Sequence, residues 1–273
     1  MTNSSVLLVA LVVGTALIAG LIANKFVRPF ADTEVQGVKL ETLVGPIVSL
    51  TVLLLAFTLV TIYGSFLRGQ TAAADEGRKV DHMFEMAQLI KEPQRQQIMA
   101  ATTCYAMAVG TYEWAAMEEG RTAREVSPWT RQMRAGISGM VANDENTSSV
   151  MSMLLTADRD RGESRSRRLL EARPAVPTEL KALLGLTAAT GILVLATFTL
   201  GSVNRRVQIG VLVLLSLVFV TFLSVIIDMD RPYDGFIMVE PTDITRVAGE
   251  LTEDYMEAYP NTPLPCDPTG RAL

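Results

Sequence analysis

Four long runs of the sequence contain no charged side chain. Residues 4–24, 43–67, 182–204 and 207–227 have no Asp, Glu, Lys or Arg. Each run has about 20 residues or more, which lets a helix cross a hydrocarbon core of roughly 30 Å. Because lipid offers the backbone no hydrogen bonds, helix is the expected conformation. The runs predict four transmembrane helices, spans 1 to 4, in preference to buried helices of a soluble core.

The spans divide the chain into four parts. These are a hairpin of spans 1 and 2 (1–67), an extramembrane domain (68–181), a hairpin of spans 3 and 4 (182–227) and an acidic C-terminal tail (228–273). Span 1 follows MTNSS, which lacks Lys and Arg, so we expect a retained span and not a signal peptide. The chain is therefore predicted to be an all-α integral membrane protein, with a helical domain inserted between spans 2 and 3.

Proline and glycine mark the helices of the inserted domain. Pro93 and Pro128 suit the first turns of two helices, and Gly120 suits the end of the first. A further helix is expected from Thr147, and Pro174 breaks it before span 3. We expect the domain to prolong spans 2 and 3 beyond the membrane and to add a helical hairpin.

Residues that could support catalysis or bind a cofactor are few. Cys104 and Cys266 are expected to be ordinary thiols, and His82 is the sole histidine. The sequence has no Walker loop, dinucleotide fingerprint or HExxH zinc motif. The basic run 159–168 has no interleaved aromatic residues, as a nucleic-acid site would have. We therefore predict no enzyme activity, no catalytic residues, no cofactor and no nucleic-acid partner.

Span 2 carries hydroxyl side chains that we expect to lie together on one helix face. Two interpretations remain open: the face lines a pore in an oligomer, or it packs against another helix. If it lines a pore, Phe57 and the Leu53–Leu55 run are candidates for an apolar constriction that gates by dewetting. The pore-lining candidates are Thr51, Phe57, Thr58, Thr61 and Ser65.

The remaining features of the spans point to packing and to passive transport. Span 1 has two small-xxx-small pairs, Ala10/Gly14 and Ala16/Gly20, which favour close helix contacts. No span carries a buried charge, and proton-coupled transporters and redox carriers usually need one. This pattern is compatible with a channel whose selectivity comes from hydroxyls, backbone groups and rings of apolar side chains.

A cluster of carboxylates follows span 4 in the stretch IIDMDRPYDGFIMVEP (226–241). Asp228, Asp230 and Asp234 are weak candidates for a metal site, since Ca²⁺ takes about six to eight oxygen ligands. The alternative is structural: Pro232 ends the helix and Gly235 supplies a special turn conformation. The spacing does not match a calcium-binding EF-hand loop, and no metal site is predicted.

The charges of the sequence are unevenly distributed. The domain is neutral, with 16 basic and 16 acidic residues, whereas the tail has ten acidic and three basic ones. The tail could dock on the basic run 159–168, or both could be solvated.

Membrane orientation depends on which charges are counted. With four spans, the loops 25–42 and 205–206 lie opposite the domain, and they carry five basic residues. The total count of Lys and Arg favours a cytoplasmic domain, but the short loops, which the positive-inside rule weighs most, weaken this expectation. We expect a multi-pass protein of the bacterial inner (plasma) membrane with a cytoplasmic domain.

The order of elements in this chain resembles that of the bestrophin-like membrane protein family of bacteria. The order is two helices, a helical domain, two further helices and then the stretch after span 4. Members of that family end their last span in a D-x-P-F-x-G-type motif, then a short hydrophobic stretch and a Pro. This chain is similar, with Tyr in place of the commoner Phe, and its TYEWAAMEEG segment also resembles the family pattern. The motif residues here are Asp228, Asp230, Arg231, Pro232, Tyr233 and Gly235, followed by Pro241.

The resemblance implies a function. The family is named for its similarity to bestrophins, which are oligomeric anion channels with a cytosolic helical domain and a calcium clasp after the last span. The consecutive acids of that clasp are interrupted here by Met229, Arg231 and Pro232. The resemblance thus predicts a homo-oligomeric passive channel in the lipid bilayer, with span 2 lining a central pore for small anions such as chloride. The alternative is a non-catalytic accessory or scaffold subunit of a larger membrane complex.

Overall fold

A computed structural model of the chain describes residues 2–31, 40–141, 145–198 and 205–273. Over these ranges the structure is helical, apart from turns, irregular segments and an isolated antiparallel bridge between Cys266 and Ala272. The helices are α1 (Thr2–Ala31), α2 (Leu40–Ala87), α3 (Gln94–Ala108), a π-helical turn (Val109–Glu113), α4 (Trp114–Glu118), α5 (Ser127–Ser138), α6 (Glu145–Glu171), α7 (Thr178–Phe198), α8 (Arg205–Met229) and α9 (Thr242–Ala258).

Four of these helices coincide with the uncharged runs, as far as the structure describes them, and are long and apolar enough to cross a membrane. The candidate spans lie in Val6–Phe26, Val48–Ala87, Thr178–Phe198 and Arg205–Met229. The prediction of an all-α, multi-pass membrane protein is therefore confirmed. Helix α2 has 48 residues and continues well past span 2. The segment between α6 and α7 contains Pro174 and Pro177 and is not helical, so α6 and α7 are separate helices.

The chain forms two compact units. Unit 1 comprises Met1–Ser65 and Pro174–Arg231, and unit 2 comprises Phe66–Arg173 and Pro232–Leu273. The acidic tail after Arg231 thus folds together with the inserted domain, where the sequence had suggested a separate part.

In unit 1, helix α1 packs closely against α7. A Cβ atom added at Gly20 would lie 2.6 Å from the Ala196 Cβ and 2.7 Å from the Leu193 carbonyl oxygen. The side-chain amide of Asn24 donates a 2.7 Å hydrogen bond to the Thr197 carbonyl. The Ala16/Gly20 pair therefore does allow a close helix approach, whereas a Cβ at Gly14 would meet nothing within 4 Å.

Unit 2 has a core of large apolar side chains. Trp129, Tyr105 and Phe84 are almost completely buried. Helix α9, which the sequence did not predict, contributes an apolar face: Ile244, Val247, Ala248, Leu251 and Tyr255 are all buried. The tail thus docks within unit 2 by burying apolar surface, where a charge attraction had been considered.

A disulfide links two distant parts of unit 2. Cys104 in α3 and Cys266 near the C-terminus are bonded, with a Cα–Cα distance of 6.0 Å and a sequence separation of 162. The expectation of two ordinary thiols is therefore wrong. The pairing was not predictable from two isolated cysteines, because it depends on how the tail folds back onto α3.

Candidate functional site

The pore-lining candidates of α2 differ in their exposure. Thr51, Thr58 and Ser65 are 2%, 8% and 3% exposed, and so belong to the buried face of the helix. Phe57 is 68% exposed, and Thr61 is exposed beside it. The four hydroxyl residues fall within about 80° of one another around the helix, but they differ in burial, and Thr61 lies at the exposed edge of the group.

The buried hydroxyls have the environment expected for helix packing. The Thr58 hydroxyl donates a 2.8 Å hydrogen bond to the Leu54 carbonyl of its own helix. The Thr51 hydroxyl oxygen lies 3.9 Å from the position of a Cβ added at Gly191 in α7. These side chains face the interior of their own protomer, so the packing interpretation fits Thr51, Thr58 and Ser65. Phe57 and Thr61 remain candidates for a pore.

Beside the buried hydroxyls, about 100° around the helix, α2 presents an exposed row, which we call the α2 stripe. It consists of Leu50, Leu53, Phe57 and Thr61, which fall within an arc of about 80° around the helix. Leu50 and Leu53 are 56% and 54% exposed. The Thr61 hydroxyl donates a 2.9 Å hydrogen bond to the Phe57 carbonyl, so its polar group is satisfied within the helix. The stripe is apolar with a hydroxyl at one end.

The motif after α8 begins with a buried carboxylate in unit 1. Asp230 is 1% exposed, and its Oδ1 accepts a 2.8 Å hydrogen bond from the backbone N–H of Val176. Its Oδ2 forms an ion pair with Lys181 in α7. Asp230 therefore ties the end of α8 to the beginning of α7, and the Lys181 charge compensates its burial.

The next residues of the motif belong to unit 2. The Tyr233 hydroxyl donates a 2.8 Å hydrogen bond to the Gly69 carbonyl in α2, and its ring lies edge-on to Trp114 with a centroid distance of 5.6 Å. The Trp114 indole N–H donates to the Val239 carbonyl at 2.9 Å. Gly235 has a φ of +117°, which favours glycine. These contacts hold the start of the tail in place.

The same contacts bear on the metal hypothesis. Both oxygens of Asp230 are engaged by a backbone N–H and an ammonium group. In the ranges that the structure describes, no three His, Cys, Asp or Glu side chains are grouped to hold a metal ion. The geometry of Asp228, Asp230 and Asp234 thus offers no support for a calcium site, and the structural role of the motif is the better supported interpretation.

The basic run 159–168 contributes to a buried ionic cluster in unit 2. The Arg168 guanidinium donates a 2.6 Å hydrogen bond to Glu113 and a shorter one to Glu76, and all three side chains are at most 1% exposed. The Tyr105 hydroxyl donates to Glu76 at 2.6 Å, and Arg165 donates to Glu113 at 3.0 Å. The charges of this run favour a solvated surface, whereas Arg161, Arg165 and Arg168, which recur at helical spacing, point inward.

The cluster sets the protonation state of its carboxylates. Burial alone would raise the pKa of Glu113, but the hydrogen bond from Arg165 and the charge of Arg168 outweigh it, so the pKa lies below its ordinary value. Burial likewise opposes ionisation of Asp158, yet the neighbouring Arg161 and Arg134 hold its pKa low. Both carboxylates are therefore ionised at neutral pH. The cluster has paired charges and shows no group prepared for proton transfer.

Comparisons with known proteins agree with this architecture. Two crystal structures of a bacterial Bestrophin homolog from Klebsiella pneumoniae share the fold. The first, which carries a point mutation, has a TM-score of 0.67 at 10% identity and covers 92% of this chain and 98% of that chain. The second, solved by Zn-SAD phasing, has a TM-score of 0.63 at 12% identity, with 93% and 99% covered. No curated protein sequence matches the chain.

A family model described as a Bestrophin-like domain matches residues 6–244, which reach from α1 into α9. The resemblance inferred from the motif after span 4 is thereby confirmed. The chain belongs to the Bestrophin-like family.

Proposed function

We propose that the chain is the protomer of an oligomeric, passive ion channel of the bestrophin type, in which the α2 stripe lines a central pore. The observation that carries this proposal is the exposure of Phe57 and its neighbours on a helix whose hydroxyl-bearing face is buried. The described part of α2 has no polar face that could line an ion pathway within a single protomer. A pore shared between protomers uses the face that one protomer leaves uncovered.

The composition of the stripe suits a channel with an apolar constriction. Leu53 and Phe57 are one turn apart, so several copies around an axis form rings of apolar side chains that gate by dewetting. Thr61 follows one turn later and supplies hydroxyls beyond the constriction. Lipid is the alternative occupant of this face, because exposed apolar side chains also suit a bilayer.

Selectivity for anions such as chloride is part of the proposal. Arg68 is the first charged residue after Phe57 on α2, and helical spacing places it on the same side of the helix. Its side chain is 61% exposed and pairs with Glu171. A ring of cations near a pore favours anions, and Glu171 offsets part of each Arg68 charge.

The proposal is tested with purified protein in liposomes. A chloride flux above that of protein-free liposomes, from a homo-oligomer with α2 around its axis, is the expected result. Folded, oligomeric protein that does not conduct would overturn the channel. Potassium flux without chloride flux would leave a channel but remove the anion selectivity. Stoichiometric partners in a mild-detergent pull-down, together with absent flux, would favour the scaffold alternative.

A further inference from the structure

The Cys104–Cys266 disulfide lies inside unit 2 and not at a loose end of the chain. Cys104 is fully buried and Cys266 is 8% exposed. The last residues form a tight turn: the backbone N–H of Asp267 donates to Arg271 at 2.9 Å, and that of Leu273 donates to Pro265 at 3.2 Å. The disulfide joins this turn to α3.

Contacts other than the disulfide also hold the turn against the core. The Trp129 indole N–H donates a 2.7 Å hydrogen bond to the Gly270 carbonyl. A Cβ atom at Gly270 would lie 2.2 Å from the Ala108 nitrogen, so the two backbones are in direct contact. The Tyr112 and Thr269 hydroxyls are 2.7 Å apart. Because the fold itself brings the sulfurs together, whether they are bonded depends on the redox environment of unit 2.

Disulfides of this kind persist in oxidising compartments and are rare in the cytosol. A buried bond whose partners the fold already brings together has the character of a structural disulfide. Its presence therefore points to a unit 2 outside the cytoplasm. This conflicts with the cytoplasmic domain expected from the total count of basic residues.

The short loops of the sequence point the same way. Lys25, Arg28 and Lys39 lie between spans 1 and 2, and Arg205 and Arg206 lie between spans 3 and 4. The segment before span 1 has no Lys or Arg. The positive-inside rule counts short loops, whereas domains of this length cross the membrane largely regardless of charge. Counted by short loops alone, the loops between the spans are cytoplasmic, although Arg68, Lys181 and Arg231 also lie close to span ends on the domain side.

We propose that unit 2 and both ends of the chain lie on the oxidising, outer side of the cytoplasmic membrane, opposite to the cytosolic domain of bestrophins. The disulfide forms there by exchange with an oxidised protein dithiol. One cysteine thiolate attacks the donor disulfide and forms a mixed disulfide. The other cysteine thiolate then attacks the chain's own sulfur, and the donor leaves as a dithiol that has gained two electrons and two protons.

The orientation is tested in intact cells with the full-length chain and its native cysteines. Glu253→Cys on the exposed side of α9 and Gln36→Cys, which the sequence places between spans 1 and 2, each add a reporter thiol. A membrane-impermeant maleimide should label Glu253→Cys in intact cells, and should label Gln36→Cys only after the membrane is opened. The opposite pattern overturns the proposal, and so does equal labelling of both reporters, which would show two orientations.

A second measurement uses the unaltered chain, so it does not depend on any variant folding. Cells are quenched in acid, and the denatured protein is alkylated with a maleimide that adds mass. In wild-type cells we expect no modified cysteine without reductant and two modified cysteines after reduction. In cells that lack their extracytoplasmic thiol oxidase, we expect both cysteines to be modified without reductant. Two free thiols in wild-type cells would overturn the proposal. Chloride flux is not part of either measurement, so the result is independent of the channel proposal.

Discussion

The Arg168 guanidinium donates a 2.6 Å hydrogen bond to the Glu113 carboxylate in unit 2, and both side chains are fully shielded from solvent. A fully buried ion pair stabilises a fold only if each charge is compensated, because removing both charges from water is costly. Here Arg168 reaches a second carboxylate, Glu76, and lies 4.7 Å from the centre of the Trp114 ring. The network joins α2, the π-helical turn and α6.

Loss of Arg168 should destabilise unit 2 strongly. The Arg168→Met substitution leaves Glu76 without its arginine in the core, and such a loss costs about 3–5 kcal/mol in the free energy of unfolding. Arg167→Met is the matched control, because Arg167 is 64% exposed and pairs with an exposed Glu163. The control should change the free energy by no more than about 0.5 kcal/mol. Equal apparent Tm values for the two variants in detergent would show that the cluster contributes little.

The same cluster predicts how stability depends on pH. The pKa of Glu113 is lower in the folded protein than its ordinary value, so its contribution is complete above the unfolded pKa of about 4.3. The contribution is lost as pH falls through the lower, folded pKa. The apparent Tm should therefore be insensitive to this group from pH 7 to 5 and should fall below about pH 4.5.

The Glu113→Gln variant tests whether Glu113 is responsible for the fall in Tm at acid pH. It should start less stable at pH 7 and show a shallower decline in Tm below pH 4.5 than the wild type. Asp158 titrates in the same direction, so part of the slope should remain. A variant with an unchanged slope would assign the acid sensitivity to other carboxylates.

The sequence predicted the larger elements of this fold because their signals are local. Uncharged runs of membrane length defined α1, α2, α7 and α8, and Pro93 and Pro128 stand at the beginnings of α3 and α5. Helix α9 was missed, although Ile244, Val247 and Leu251 recur at helical spacing, because its acidic residues suggested a solvated tail. That apolar pattern would have been sufficient to find it.

Other features depend on contacts between distant residues, and no local pattern carries them. The disulfide joins residues 162 positions apart, and Arg168 finds its partners 55 and 92 positions away. On α2, helical spacing places Thr61 only about 60° from Thr58, so their different burial depends on the packing of the protomer. What fills the space beside Phe57 is a property of the oligomer, which a single sequence does not specify.

The α2 stripe makes a prediction about conduction. Phe57→Ala should widen the apolar constriction and raise chloride flux in liposomes by at least about twofold, since shorter side chains hold water more readily. Phe26→Ala is the matched control, because Phe26 is also 68% exposed but lies on α1. Thr58→Val, on the buried face, should leave the flux unchanged. If Phe57→Ala conducts like Phe26→Ala, the pore does not run along this face.

The contact between α1 and α7 predicts opposite effects for two glycines of one helix. Gly20→Ala introduces a Cβ 2.7 Å from the Leu193 carbonyl oxygen, so the helices must separate and the apparent Tm should fall. Gly14→Ala meets nothing within 4 Å and should be neutral, or stabilising by up to about 1 kcal/mol through helix propensity. Equal behaviour of the two variants in thermal unfolding would place the helix contact elsewhere on α1.

Asp230 tests whether the motif after α8 is structural. Asp230→Ala removes the acceptor of the Val176 N–H and leaves Lys181 without its carboxylate, so we expect loss of folding or assembly. Asp230→Asn keeps an oxygen for Val176 but no charge for Lys181, and should be intermediate. The measurements are the yield and monodispersity of the purified oligomer, with and without calcium. An Asp230→Ala oligomer that is well assembled and has lost only its sensitivity to divalent ions would restore the metal hypothesis.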